Sequence, residues 1–356
     1  MKKLKIAIVG VGSISRTHID GYLKNPDVEL CAFCDINEAR LQYMGEKYGI
    51  TRLYTDEAKM LEEIPELDAV SVCTWNSAHA SCTIMALNAG KHVLCEKPRA
   101  MNTQEAIEMM EAAKRNGKLL MIGFVRRFGK DADIVNDFVN AGRLGELYYA
   151  KAVTLRRNGN PGGWFGEKAR SGGGPLIDLG VHVIDLTRYL AGKPRVESVY
   201  GATFHKLGAR SNIKTPKPYV SVSATDHDIC DCEDLASAML RFENGFVMSV
   251  EMSYSLNLGK GDNSVQLFGT QGGVHLSTGE GVKLYSEMDG YLSNTTFDGR
   301  TSFDNDAYDL EMNNFVDAIL GRAECRNPAE DGVEIMRILD AIYRSAETGH
   351  EEVLVR

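Results

Sequence analysis

The first 124 residues alternate short apolar runs with amphipathic stretches, and no other feature narrows the fold as far. Lys5 to Val9, Val28 to Cys34, Ala69 to Thr74, His92 to Cys95 and Leu119 to Phe124 read as strands, with a shorter one near Leu53. The stretches between them carry helical periodicity. One ends near Lys24, one runs from Asn37 to Tyr48 and stops at Gly49, and others span Asp56 to Glu62, Ser77 to Asn88 and Thr103 to Asn116. Strands that alternate with helices build a parallel sheet covered on both faces, with ligands at the carboxyl ends of its strands. Residues 1–124 are therefore expected to form an α/β Rossmann domain, a doubly wound parallel sheet.

The first strand runs straight into Gly10-Val11-Gly12-Ser13-Ile14-Ser15. Gly10 and Gly12 allow a tight turn and close backbone approach to a pyrophosphate, which Ser13 and Ile14 would meet at the start of the next helix. Ser15 stands where the G-x-G-x-x-G pattern has its third glycine, so slightly looser helix–strand packing is expected there. Asp35 closes the second strand, where a carboxylate accepts from ribose hydroxyls and repels a 2′-phosphate. NAD is expected in preference to NADP, with Arg40 near enough to moderate the preference. Two further strand ends carry chemistry. Thr74, Trp75, Asn76 and His79 gather hydroxyl, indole, amide and imidazole at one crevice, and Glu96-Lys97-Pro98 places an ammonium at another. Facing a nicotinamide, Lys97 would orient a substrate hydroxyl and favour its ionisation; otherwise it is a solvated loop lysine.

Beyond Glu146 the strands lengthen and become β-branched and aromatic: Leu147 to Arg156, Val196 to Phe204, Ala236 to Phe242, Phe246 to Tyr254, Val265 to Gly269 and Val282 to Ser286. Glu243-Asn244-Gly245 marks a hairpin. Residues 125–356 are expected to form an α+β substrate-binding and oligomerisation domain with a mostly antiparallel open sheet, closed by helices near 308–320 and 331–347. Into it is inserted a helix that opens on Gly172-Gly173-Gly174-Pro175 and is apolar nearly all round. Its exceptions, Asp178, His182 and Asp185, share one helical face. An imidazole flanked by carboxylates can be held in one tautomer and tuned as a general base; the same residues also suit a dipole-favoured carboxylate and a satisfied core histidine. Arg156 to Phe165 mixes arginines with Trp164, a combination suited to the hydroxyls and C–H face of a sugar. The segment from Lys206 to Asp228 has no clear period and either shapes the pocket or meets another subunit.

With 356 residues, 44% of them hydrophobic, the chain has material for about two domains. A net charge of −9 without a basic block argues against a nucleic-acid footprint or a polybasic membrane patch. No stretch approaches the ~20 apolar residues of a membrane span. The eight cysteines are scattered, Cys31 and Cys34 fall on opposite faces of a strand, and no second ligand pair has metal-site spacing. No metal is expected, and the protein reads as cytoplasmic with reduced thiols. Along Phe246 to Tyr254 one face is apolar and the other mixed, with Val247 among Ser249, Glu251 and Ser253. A homodimer or homotetramer paired through this sheet is expected.

Taken together, these motifs resemble the glucose-fructose oxidoreductase / inositol 2-dehydrogenase (Gfo/Idh/MocA) family. The resemblance rests on Gly10-Val11-Gly12, on Thr74-x-Asn76-x-x-His79, and on Ala89-Gly90-Lys91-His92-Val93 leading to Glu96-Lys97-Pro98. Gly172-Gly173-Gly174 before Asp178-x-Gly180-x-His182-x-x-Asp185, and Pro328 to Gly332 with Ala341-Ile342-Tyr343, extend it over essentially the whole chain. It implies an NAD(P)-dependent dehydrogenase acting on a secondary hydroxyl of a cyclic polyol, sugar or glycoside. By position, Lys97, Asp178 and His182 match the family's catalytic trio, with His182 taking the hydroxyl proton as hydride leaves for the nicotinamide. Cofactor contacts then fall on Gly10, Gly12, Ser13, Ile14, Asp35, Thr74, Trp75, Asn76, His79, Glu96 and Lys97, and substrate contacts on Arg126, Arg157, Trp164, Asp178 and His182. Ser15, Trp75 where the family usually has proline, and Val125 at an often polar position depart from the pattern. The same scaffold also suits a redox-assisted glycosidase that retains NAD, or a non-enzymatic dinucleotide-sensing protein.

Overall fold

The computed structural model describes residues 3–217, 219–299 and 301–354. The chain divides into two compact units, Met1–Val125 with Tyr308–Met336, and Arg126–Ala307 with Arg337–Arg356.

In the first unit, β1 (Leu4–Val9), α1 (Ser15–Lys24), β2 (Val28–Cys34), α2 (Glu38–Tyr48), β3 (Leu53–Tyr54), α3 (Glu57–Glu63), β4 (Ala69–Val72), α4 (Asn76–Asn88), β5 (His92–Cys95), α5 (Thr103–Asn116) and β6 (Leu120–Ile122) follow in order. The strands pair in parallel in the order β3-β2-β1-β4-β5-β6. Their central residues are apolar in continuous runs because both sheet faces are covered; Ile6, Ala7, Ile8, Val70, Val93 and Leu94 are fully buried. Asn37 and Asn102 cap α2 and α5 by accepting from Arg40 N and Glu105 N, and left-handed Gly49 and Gly117 end these helices. The strand order reverses between β1 and β4, which opens a crevice at their carboxyl ends.

Residues 308–336, which chain position alone would place with the second domain, pack instead with the first unit. They close the open edge of the sheet: Ile122 N donates to Asn327 O, and Asn327 Nδ2 returns a bond to Ile122 O, both at 3.0 Å. Buried Arg99 also donates to Ala329 O.

The second unit contains α6 (Lys130–Asn140), β7 (Leu147–Leu155), α7 (Lys168–Ser171), α8 (Val181–Leu190), β8 (Val196–Phe204), β9 (Leu235–Phe242), β10 (Val247–Ser253), β11 (Asp262–Gly269), β12 (Gly272–Ser277), β13 (Gly281–Met288) and β14 (Tyr291–Thr296). Two helices and a strand follow in the chain: α9 (Asp306–Ile319), α10 (Ala329–Thr348) and β15 (Glu352–Val353). The nine strands run β14-β13-β12-β11-β7-β10-β9-β8-β15, antiparallel except where β7 and β10 pair in parallel. The helix α8 packs on β7 and β11, against the sheet face that carries Ala150, Met248, Met252 and Leu267. The β9–β10 hairpin turns on Glu243-Asn244-Gly245, with Gly245 at φ +81°. The sequence reading does not contain α6, α7, β12, β14 or β15. In β14 the pattern was unreadable because most of its residues are exposed, Leu292 almost fully. Among the described residues no helix is long and apolar enough to cross a membrane.

Candidate active site

At the carboxyl end of β1, Gly10 takes φ +86°, and a Cβ there would lie 2.7 Å from the backbone of Cys73 and Thr74. Only glycine permits this approach of the β1 and β4 ends. At Gly12 a Cβ would meet nothing nearer than Arg40 Nη1 at 3.9 Å, so the turn is open where half-exposed Ser13 and Ile14 lead into α1. An open glycine turn at a helix N-terminus suits a pyrophosphate. Ser15 is fully buried and its hydroxyl donates back to Gly12 O at 2.8 Å, filling the place of a third glycine. Asp35 Oδ2 accepts from Val11 N (2.7 Å) and Oδ1 from Asn37 N (2.8 Å). Its carboxylate is thereby fixed beside the turn with acceptor capacity left for ribose hydroxyls. Cradle, helix start and carboxylate fit a bound NAD.

The loops after β4 and β5 are tied together from below. His79, 1% exposed, donates from Nδ1 to Pro98 O at 2.6 Å and sets Nε2 3.2 Å from Thr74 O; burial pushes its pKa down. It joins the two loops. Thr74 and Trp75 are half-buried at the entry to α4, and Asn76 is buried at its first position. Glu96 is buried, with Oε1 2.8 Å from His18 Nε2 and Oε2 accepting from Lys97 N at 3.0 Å. Burial pushes Glu96 up, but the contacts with His18 and Lys97 together outweigh it and the carboxyl sits below its usual range. An ionised Glu96 accepts from Nε2–H of His18, and that tautomer leaves Nδ1 to accept from Ser71 Oγ at 2.9 Å, which in turn lies 3.0 Å from Tyr22 Oη. Lys97 is half-buried, joined to buried Pro98 by a cis peptide bond. His18, Ser71 and Tyr22 had no part in the sequence reading. Their only local signal is that polar His18 shares the buried face of α1 with Tyr22.

In the second unit, glycines 172–174 and Pro175 lead into one wide π-type turn, Leu176–Gly180, that passes into α8. A Cβ on Gly173 would stand 2.0 Å from Tyr343 Oη, and one on Gly174 2.2 Å from Glu233 O, so neither position tolerates a side chain. Buried Glu233 caps this helix start from outside: Oε2 accepts from Gly174 N (2.9 Å), and Oε1 from Leu176 N (3.2 Å) and Tyr343 Oη (2.9 Å). Burial pushes the Glu233 carboxyl up.

The polar stripe divides by environment. Asp178 and His182 are half-buried, whereas Asp185 is sealed and held by Arg127 through bonds of 2.9 and 2.6 Å. Arg127 also lies over the Tyr189 ring, 4.8 Å from its centroid. Asp178 Oδ2 accepts from Tyr254 Oη at 2.8 Å. Burial, with the Asp178 charge beside it, pushes the Tyr254 phenol far up, so it stays a donor. Neither Tyr254, read only as a strand residue, nor Glu233 was assigned to the site from sequence; each lies more than fifty residues from the helix start it meets.

Of the expected substrate contacts, Arg126 bonds Asp131 at 2.9 Å and lies over Phe303, and Arg157 is exposed with Nη1 donating to Gly259 O at 2.6 Å. Trp164 is half-buried, stacked on Phe165, which meets Tyr219 edge-on. The described residues of 206–228 lie along this loop: Lys217 Nζ donates to Asn160 O at 2.7 Å, and Asp228 accepts from Gly163 N. This segment therefore shapes the loop wall. Among the described residues no cluster of His, Cys, Asp and Glu could hold a metal.

Residues 4–124 match the family described as oxidoreductase family, NAD-binding Rossmann fold, and 137–355 match its C-terminal alpha/beta domain. The chain belongs to the Gfo/Idh/MocA oxidoreductase family. It is an oxidoreductase, and NAD is its cofactor, which sets aside the non-enzymatic reading. This Gfo/Idh/MocA member is similar to D-glucoside 3-dehydrogenase of Escherichia coli (strain K12), 36% identical over 349 residues covering 97% of this chain and 96% of that protein. It is also similar to myo-inositol 2-dehydrogenase of Thermotoga maritima, 29% identical over 275 residues covering 76% of this chain and 74% of that one. Among solved structures, aldose-aldose oxidoreductase from Caulobacter crescentus superposes with a TM-score of 0.81 at 26% identity, covering 99% of this chain and all of that one. Levoglucosan dehydrogenase in complex with NADH shares the fold, with a TM-score of 0.85 at 20% identity over the whole of both chains.

Proposed function

We propose that this protein is an NAD-dependent dehydrogenase that oxidises a secondary hydroxyl of a sugar, glycoside or cyclic polyol. The observation that carries the reading is the Tyr254–Asp178 hydrogen bond, one helical turn before His182 on a helix start clamped by Glu233. A carboxylate held by a buried phenol one turn from a half-buried imidazole is suited to orienting that imidazole as a base. The names of the similar proteins, acting on glucoside and inositol, support the substrate class.

When bound, the nicotinamide supplies the hydride acceptor. Lys97 orients the substrate hydroxyl and stabilises charge on its oxygen, Asp178 orients His182, and a ring nitrogen of His182 takes the hydroxyl proton. The carbinol hydrogen departs with its bonding pair as C–O becomes C=O, so the alcohol loses two electrons and two hydrogens. Gly10, Gly12, Ser13, Ile14, Thr74, Trp75, Asn76 and Glu96 are assigned to the cofactor site, with His79 positioning its loops. Asp35 favours NAD over NADP, since its carboxylate repels a 2′-phosphate. Arg157 and Trp164 are assigned to substrate recognition.

The protein is further read as a homodimer or homotetramer. The cross-strand neighbours Tyr200 and Met239, 56% and 54% exposed on the outer sheet face, support pairing there. All eight cysteines are free, which supports a reducing, cytoplasmic setting. A panel of inositols, aldoses and glycosides incubated with NAD tests the function. NADH formation with a ketone product supports it, glycoside cleavage without net NADH points to redox-assisted hydrolysis, and neither outcome in any member overturns it.

A further inference from the structure

A cavity of about 560 Å³ lies wholly within the second unit, at the carboxyl end of β7. Its size falls in the range of small-molecule sites. The walls are Leu155 to Asn158, the loop after β10 around Leu256 and Asn257, and a stretch of the 206–228 segment that includes Arg210. This stretch is fastened down. Arg210, itself at φ +50°, donates from Nη1 to Arg157 O (2.6 Å) and Leu256 O (3.2 Å) and from Nη2 to Asn257 Oδ1 (2.5 Å). Asn158 Nδ2 donates to Pro216 O at 2.8 Å, and Ser255 Oγ to Gly208 O at 2.6 Å.

The charge of this cavity is one-sided. Three guanidiniums, of Arg156, Arg157 and Arg210, line it, and none of its lining residues is acidic, in a chain whose net charge is −9. The acceptors that Arg157 and Arg210 meet are neutral carbonyl and amide oxygens. Asp234, just before β9, fastens the start of this segment, its carboxylate spent on the backbone N–H groups of Lys206, Leu207 and Gly208. Arg156 is half-buried, its backbone bonded to Ser253, and its guanidinium meets no acceptor among the described residues. A half-buried guanidinium without an acceptor, beside two others whose charge is uncompensated, is arranged for an anion.

The cavity adjoins the chemistry assigned above. Arg156 N donates to Ser253 O and Gly159 N to Tyr254 O, which brings the β7 and β10 ends together beside the Tyr254–Asp178 pair. The Arg156 charge also opposes the upward push on the Tyr254 phenol, so it lies within electrostatic reach of that hydroxyl.

We propose that this cavity receives an anionic substituent, a carboxylate or a phosphate ester, carried by the sugar-type substrate, with Arg156 pairing to it as a specificity-determining residue. The proposal rests on the dehydrogenase reading for the sugar part and adds the acidic group. Isothermal titration of the NADH-saturated protein with glucuronate, glucose 6-phosphate, glucose, methyl glucoside and inorganic phosphate tests it. One acidic sugar should bind at least about tenfold more tightly than glucose, and added salt should erode the advantage. The arm that binds identifies the group as carboxylate or phosphate. Arg156→Gln should abolish the advantage while leaving glucose affinity unchanged, and Arg156→Lys should restore part of it. Neutral sugars binding as well as acidic ones, an equal effect of Arg156→Gln on both, or inorganic phosphate binding as tightly as glucose 6-phosphate without displacing glucose would each overturn it. The titration reads binding alone, so acidic-sugar binding without NAD reduction leaves the cavity assignment standing and removes the dehydrogenase reading, and turnover of neutral sugars only does the reverse.

Discussion

Replacing Asp185 by Asn separates the ion-paired member of the polar stripe from Asp178 and His182, the members proposed for the chemistry. Asp185 and Arg127 are sealed from solvent and share two hydrogen bonds, so the variant leaves a buried guanidinium against a neutral amide. Breaking a buried pair from one side costs about 3–5 kcal/mol. The unit that holds the pair has about 200 residues, a size at which each kcal/mol moves Tm by about 2–4 °C. The expected loss is therefore roughly 6–20 °C in Tm. Arg127→Gln should cost a similar amount. Arg127→Met combined with Asp185→Leu removes both charges and should recover most of the stability, because well-packed apolar replacements of buried pairs are often neutral. Differential scanning calorimetry reads Tm, and NADH titration below the transition reads the cofactor site, which should be unaffected. A variant that melts with the wild type yet loses turnover would refute this reasoning and return Asp185 to the proton-transfer group.

His182→Ala should lower kcat by about 10²- to 10⁴-fold with NAD affinity retained, and near-normal turnover would remove it as the base. Asp35→Ser should narrow or reverse the NAD preference measured as the ratio of kcat/KM values; an unchanged ratio contradicts the assignment. Burial pushes the Glu57 carboxyl up to about 7, above its ordinary 4.5. The folded chain thus holds that proton more tightly than the unfolded one, so the contribution is complete below about pH 4.5 and is lost as pH rises through about 7. Glu57→Gln should flatten stability across that window and exceed the wild type at about pH 8 by up to about 3 kcal/mol, and parallel pH profiles in chemical denaturation would refute it. Light scattering at micromolar concentration should return a multiple of the 39.2 kDa chain, reduced to one chain by Tyr200→Glu with Met239→Glu; a wild type that scatters as a monomer contradicts the pairing.

Much of the first unit was legible because its signals are local. A strand buried on both faces is a run of apolar residues, an amphipathic helix repeats every 3.6, and the glycine turn with Asp35 spells its own geometry within one βαβ unit. The same logic found the β9–β10 hairpin from Asn244-Gly245. It overlooked β14, where exposure on both faces leaves no alternation to read, and it divided the chain by position although 308–336 seals the edge of the first sheet.

The sequence by itself marked most elements of the first sheet and a set of candidate site residues, because backbone propensity and side-chain spacing act over a few residues. It grouped Asp178, His182 and Asp185 on one helical face, and it flagged the glycines ahead of them. Only the tertiary structure decided what each meets. Asp185 meets Arg127 58 residues away, Asp178 meets Tyr254 76 away, Gly174 meets Glu233 59 away, and Glu96 meets His18 78 away. Desolvation and ion pairing depend on what packs around a group, and that is set by sheet order and register. A carboxylate sealed against a guanidinium therefore serves the fold, while one bonded to a phenol at a half-open helix start remains available for chemistry, though both occupy the same stripe of the same helix.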